Sequence, residues 1–146
     1  MIAQGKAEWA RILGSATQNE FEEAPLWSID LRVEDEEKTR LEGFGLKPKT
    51  KDDHVFNFKQ KLLRKDGTEN SGPNVVDVSK QPWPEDNLVG NGSLVKVAFN
   101  TYEHKMTSQY GLGKGLQAVQ VLEHVAYGGS GGVGEFADES EAVGEF

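Results

Sequence analysis

Short runs of alternating apolar and polar residues, broken by turn signals, restrict this chain to a mostly β architecture. The run 26–33 is the clearest. Trp27, Ile29, Leu31 and Val33 fall on one side, and Ser28, Asp30 and Arg32 on the other. Further strands are predicted at 7–13, 55–65, 93–102 and 116–127. Asp66-Gly67 marks a hairpin turn, with 74–78 as its return strand. Residues 34–41, charged and free of Gly and Pro, read as one short helix. The basic segment 43–53 reads as a mobile loop, and 81–92, with Pro82, Pro84 and Asn91-Gly92, as a loop ending in a turn. Many short strands with one helix predict a small closed β-barrel rather than a parallel sheet.

The chain of 146 residues divides into a body, 1–127, large enough for one core, and a tail, 128–146. The tail holds six glycines, five carboxylates and no Lys or Arg. It buries too little apolar surface to offset its ordering entropy, so it is expected to stay mobile and to serve as an interaction segment. Val-Gly-Glu-Phe occurs in it twice, at 133–136 and 143–146. Glu135, Phe136, Asp138, Glu139, Glu141, Glu145 and Phe146 are its partner-binding candidates, an aromatic end beside carboxylates suiting a basic-rimmed apolar pocket on a partner.

No cysteine is present, which excludes disulfides, thiolate zinc sites and thiol nucleophiles. No run of about eighteen apolar residues and no signal-peptide pattern occur, so the expected compartment is the cytoplasm, with no membrane contact. The net charge of −8 is unevenly spread: 1–37 carries 3 bases against 9 acids, 38–114 carries 13 against 9. Acidic ends around a basic middle point to a polyanionic partner.

Alternation in 55–65 turns Phe56, Phe58 and Leu62 to the core and Asn57, Lys59, Lys61 and Lys65 outward, a rail of cations about 7 Å apart. In 93–102, Val95, Val97 and Phe99 face the core, leaving Lys96 and Tyr102 outside. Trp9 and Arg11 share a face with Ala7 and Leu13 and combine an aromatic with a cation, as a base-stacking platform requires. Tyr110 is a further stacking candidate. Trp27 reads as core, and Trp83, between two prolines, as a plug for the barrel end. Gly111-Leu112-Gly113-Lys114-Gly115 lacks the spacer and hydroxyl residue of a nucleotide loop; it reads as a flexible or bulged strand entry that leaves Lys114 for a phosphate. Asp52-Asp53-His54 makes a poor metal site, and no catalytic constellation is recognisable, so no metal, cofactor or enzymatic activity is expected.

The segment NVVDVSKQPWPEDNLVGNGSLVKVAFNTYEHK (74–105), followed by GLGKGLQAVQVLEHVAYGG (111–129), resembles the replicative single-stranded DNA-binding proteins of short-tailed bacteriophages. Shared features are a valine-rich strand ending in Asp, a glycine–X–glycine–Ser turn, an alternating strand with a lysine and a late aromatic, and a last strand running into a glycine linker. The chain is short for that family and its tail less densely acidic. The resemblance implies an OB fold, a five-stranded Greek-key barrel with one short helix. It implies a protein that coats single-stranded DNA in phage replication and recombination, in the cytoplasm of the infected host. It also implies a tail that recruits the replicative polymerase and helicase-primase, and a homodimer. In that frame Lys59, Lys61, Lys65, Lys96, Lys105 and Lys114 would meet phosphates, Trp9, Tyr102 and Tyr110 would stack on bases, and Arg11 would contact the strand beside Trp9. The tail would compete with DNA for the groove. A β-barrel interaction module without DNA affinity fits the net negative charge, and an oligosaccharide-binding barrel would use the same aromatics.

Overall fold

The computed structural model describes residues 1–17 and 24–126. Among them run β1 (Ile2–Arg11), β2 (Leu26–Arg32), α1 (Asp35–Gly43), β3 (Val55–Lys61), β4 (Asn74–Val76), β5 (Leu94–Tyr102), α2 (Thr107–Tyr110) and β6 (Gly113–Glu123). Strand β1 pairs antiparallel with β2 and with β5; β2 pairs with β3, and β5 with β6. The ring closes where β3 and β6 meet in parallel at Lys59 and Gly115. This is the OB-fold barrel of five strands. Gln60 stitches its seam by donating from Nε2 to the Leu116 carbonyl at 2.9 Å. No helix among the described residues is long and apolar enough to cross a membrane. The tail 128–146 lies outside the described residues.

The period-two pattern builds the core as expected. Ile29, Leu31, Phe56, Phe58, Val95, Val97 and Phe99 are all buried, with the Phe58 and Phe99 rings 5.0 Å apart. Trp27 is buried too, its indole N–H donating to the Gly14 carbonyl at 3.0 Å. Leu62 and Trp83 pack against this core, Trp83 standing edge-on to His124 at 5.1 Å.

Three expectations are corrected. The first strand begins at Ile2, well before residue 7. Strand β3 stops at Lys61, so Lys65 leaves the proposed rail and sits in the turn where Gly67 N–H donates to the Arg64 carbonyl. The hairpin returns only as the Leu63–Glu69 bridge; residues 74–76 pair in parallel with β6 instead. Strand β3 is engaged on both sides, by β2 over seven residues and by β6 at the Lys59–Gly115 bridge, and Val75 is buried by joining β6 beyond that bridge.

Helix α1 carries Asp35, Glu36 and Glu37 in its first turn and Arg40 in its last, the sense that complements a helix dipole. Leu41 anchors it in the core, and Glu37 accepts the Gln4 backbone N–H at 2.8 Å, fastening it to β1. The Arg40 guanidinium on Glu37 holds that carboxyl below its usual range. Helix α2, only four residues long, was not anticipated.

The loop after α1 is pinned, not free. Leu46 is buried and bridged to Gly111, Lys49 N–H donates to the Val55 carbonyl, and Asp52 pairs with Arg32 at 2.6 Å. His54 meets Asp35 at 2.6 Å and Asp53 at 2.9 Å, and these carboxylates raise its pKa, Asp35 the more. A raised histidine pKa stabilises the fold fully below the unfolded value and loses that contribution as pH rises through the folded value. The Tm gap between wild type and His54→Gln is therefore expected to be widest near pH 6 and to close at higher pH. A gap independent of pH between 6 and 9 would show that the imidazolium contacts do not hold the loop.

Candidate nucleic-acid interface

One outward row of residues crosses five strands. Cα pairings run from Arg11 on β1 to Ser28 on β2, to Lys59 on β3, to Gly115 on β6 and to Asn100 on β5. Four inter-strand steps of about 4.8 Å make it roughly 19 Å long. At the β1 end lies a groove of about 250 Å³ lined by Trp9, Arg11, Ser28, Asp30, Lys49 and Lys59, among others.

Trp9 reaches this groove through a break in β1. Between Glu8 and Arg11 the strand spends three steps against two on β2, a one-residue bulge. Trp9 adopts φ 50° there, a left-handed conformation that costs a non-glycine residue about 1–3 kcal/mol. Its backbone N–H is satisfied by Asn91 Oδ1 at 2.8 Å. The bulge corrects the expected face-sharing: Ala7 and Ile12 are buried while Trp9 is 60% exposed.

Asp30 projects from β2 beneath the groove at only 6% exposure. It accepts from Lys49 Nζ at 2.7 Å and from Asn57 Nδ2 at 2.8 Å. The buried carboxylate thus positions a lysine from the pinned loop over the groove, leaving its ammonium partly solvated. Sequence reading missed Lys49 as a groove residue, because its placement depends on a contact 19 residues away. Alternation turns Asn57 outward, but no local signal joins it to Asp30.

At the β6 end, two glycines allow close approach of side chains from β5. A Cβ on Gly115 would lie 2.1 Å from Asn100 Oδ1, and one on Gly113 would lie 2.2 Å from the Tyr102 ring. The two glycines let those side chains lie flat against β6 and leave room beside Lys59. The strand entry at 111–115, expected to be flexible or bulged, carries no bulge over 113–115: Gly113, Lys114 and Gly115 pair regularly with Tyr102, Thr101 and Asn100, and the two irregularities of this ladder fall between Ala98 and Phe99 and between Leu94 and Val95. Lys114 is half-buried with its ammonium donating to the Lys47 carbonyl at 3.3 Å. Burial pushes its pKa down, and repulsion from Lys59 adds to this, so an anion placed between the two would be stabilised.

Of the candidates, Trp9, Arg11 and Lys59 meet in one groove, and Tyr102 and Lys114 flank the same row across the seam. Lys61 continues the β3 face one step further, opposite Leu26. Lys105 and Tyr110 are exposed on the connection from β5 to β6. Lys96 stands apart, in a second hollow with Ile2 and Ala98. The tail candidates lie outside the described residues. Asp52, Asp53 and His54 bring ligand atoms within 4.8 Å of one another, but Asp52 is engaged by Arg32 and His54 by Asp35 and Asp53.

Among solved structures, this chain is similar to gp2.5, a single-stranded DNA-binding protein encoded by bacteriophage T7. The match has a TM-score of 0.65 at 20% identity and covers 100% of this chain and 97% of that one. It is also similar to the single-stranded DNA-binding protein of bacteriophage Enc34 in complex with ssDNA, at TM-score 0.58 and 9% identity over 86% of each chain. A further structure of the Enc34 protein matches at TM-score 0.55 and 13% identity, covering 96% of this chain and 87% of that one. No family model and no curated protein matches the sequence. The likeness shows that the barrel is built as in these phage proteins.

Proposed function

We propose that this protein binds single-stranded DNA without regard to sequence, as a coating protein of phage DNA replication and recombination. One observation carries the reading: the Arg11–Ser28–Lys59–Gly115–Asn100 row, with the exposed indole of Trp9 at one end and Tyr102 and Lys114 at the other. Its Ser28–Lys59 part lies on the β2–β3 face, which OB barrels use for oligonucleotides. Lysines and Arg11 take the phosphates, and Trp9 and Tyr102 stack on bases. Stacking tolerates any base, so no base-edge code is needed. The role is binding, with no reaction assigned to the groove. The likeness to phage proteins described as single-stranded DNA-binding supports the same reading.

The acidic tail competes with DNA for this groove, because a tethered ligand acts at an effective concentration on the order of mM. Strand binding then releases the tail to recruit the replicative polymerase and helicase-primase.

Fluorescence titration with single- and double-stranded oligonucleotides over a range of salt tests the function. Single strands are expected to bind more tightly, with log K falling by about 0.7 per phosphate neutralised for each unit of log salt. Deleting 128–146 is expected to tighten binding at low salt. Equal affinity for duplex would overturn the single-strand reading, and no binding to either would favour a protein-interaction module, consistent with the net charge of −8.

A further inference from the structure

The barrel carries a second concavity with a different chemistry. It is a hollow of about 320 Å³ outside β1, β5, β6 and β4, floored by Ile2, Val76, Ala98 and Ala118 and rimmed by Lys80 and Lys96. Its floor is apolar because short side chains stand where three strands meet in register: Ile2 opposite Ala98, and Ala98 opposite Ala118. The edges of the floor stay exposed, Ile2 at 48%.

The rim is built, not incidental. Asp77 Oδ1 accepts the backbone N–H groups of Ser79 and Gln81 at 2.8 and 2.9 Å, forming a tight turn. That turn holds Lys80 at φ 66°, a left-handed conformation a non-glycine residue adopts only under constraint. Gln120 Nε2 ties the turn to β6 through the carbonyls of Asp77 and Val78, both at 3.3 Å. Among the described residues, neither Lys80 nor Lys96 has a carboxylate partner.

We propose that this hollow receives the chain's own Val-Gly-Glu-Phe repeat, the phenyl ring seated on Ala98 and Ala118 and the adjacent glutamate paired with Lys80 and Lys96. The chemistry matches on both counts: an aromatic ring for an apolar floor, and a carboxylate one residue away for two ammonium groups at the rim. The geometry permits it. Ala126 is six residues beyond Gln120, so the described chain ends within about 20 Å of the hollow. Phe136 lies ten residues further on and Phe146 twenty, with expected spans of about 17 and 25 Å for a glycine-rich chain. Both spans are comparable with that upper limit, and effective concentration peaks when span and distance agree. With Phe136 seated here, Asp138, Glu139 and Glu141 follow within five residues, a stretch long enough to extend toward the row. Lys96 is only four residues, about 13 Å, along β5 from Asn100. The docking stands whatever the groove binds.

Methyl NMR on the full-length protein, with alanine methyls labelled and no DNA present, tests the idea. In wild type, the Ala98 and Ala118 methyls are expected to be shifted upfield by the docked ring. The shift should be lost in the double variant Phe136→Ala/Phe146→Ala and in Lys80→Glu/Lys96→Glu, while the buried methyls of Ala3 and Ala7 stay in place as a folding control. It should survive hundredfold dilution. Identical Ala98 and Ala118 positions in wild type and the double phenylalanine variant would overturn the proposal. So would a shift retained in the double lysine variant. Loss on dilution would mean that the hollow takes the tail of another copy, which also overturns it. None of these readouts involves DNA, so failure here leaves the groove reading untouched.

Discussion

Phe58→Ala is expected to remove about 3–5 kcal/mol of folding stability, the usual cost of truncating a fully buried phenylalanine. Phe58 has no exposed surface, packs against Phe99 at 5.0 Å and sits opposite Ile29 on β2. The lost aromatic contact accounts for about 0.5–1.5 kcal/mol beyond area. The rest is transfer and cavity cost, for which a rigid ring of strands offers little relaxation. Domains of this kind hold roughly 5–15 kcal/mol in all, so the variant should sit close to its threshold. Urea unfolding followed by tryptophan fluorescence reads the effect, since Trp27 is buried and hydrogen-bonded to Gly14. The midpoint should fall with little change in slope. A loss below about 1 kcal/mol would mean that the barrel collapses around the gap, against the packing described here.

What could be read in advance was local. In β2, β3 and β5 the side-chain period picked out the core face, because one face of each strand is buried against the same interior, although Asp30 on the other side of β2 and Val55 at the start of β3 are buried as well. Helix α1 was legible from its charge and its lack of breakers. The first strand was not, because a bulge inverts parity partway along it. Trp9 was expected outside together with Ala7, yet Ala7 is core and only the extra residue turns the indole out. Nor does parity say where on a closed barrel an outward side chain emerges. Lys59 and Lys96 are both outward, but they stand in separate hollows because curvature carries β5 round between them. The pairing of β4 with β6, the hold of Asp30 on Lys49 and the fit of Asn100 over Gly115 all join residues distant in the chain. No window of sequence contains both partners of such contacts.

Lys59→Glu is expected to weaken single-strand binding by on the order of 10–100-fold at low salt, about 1.4–2.7 kcal/mol. Lys59 is the middle of the five-residue row, paired with Ser28 on one side and Gly115 on the other. The missing side chain at Gly115 gives a phosphate access to it, and Lys114 stands close enough for its own ammonium to be depressed by Lys59. Reversing this charge removes a phosphate contact and sets a second carboxylate beside Asp30, which lines the same groove. The salt slope should therefore become shallower by about 0.7 as well. Trp9→Asn gives the complementary result, asparagine being chosen because it tolerates the left-handed backbone at this position. Loss of stacking costs about 1–3 kcal/mol without altering the slope, since no counterion is released by a ring. Lys38→Glu, on helix α1 and paired with Glu42, changes net charge by the same amount away from the groove. If it weakened binding as much as Lys59→Glu, the molecule's total charge would govern affinity, and the row across the barrel would have no special claim on the strand.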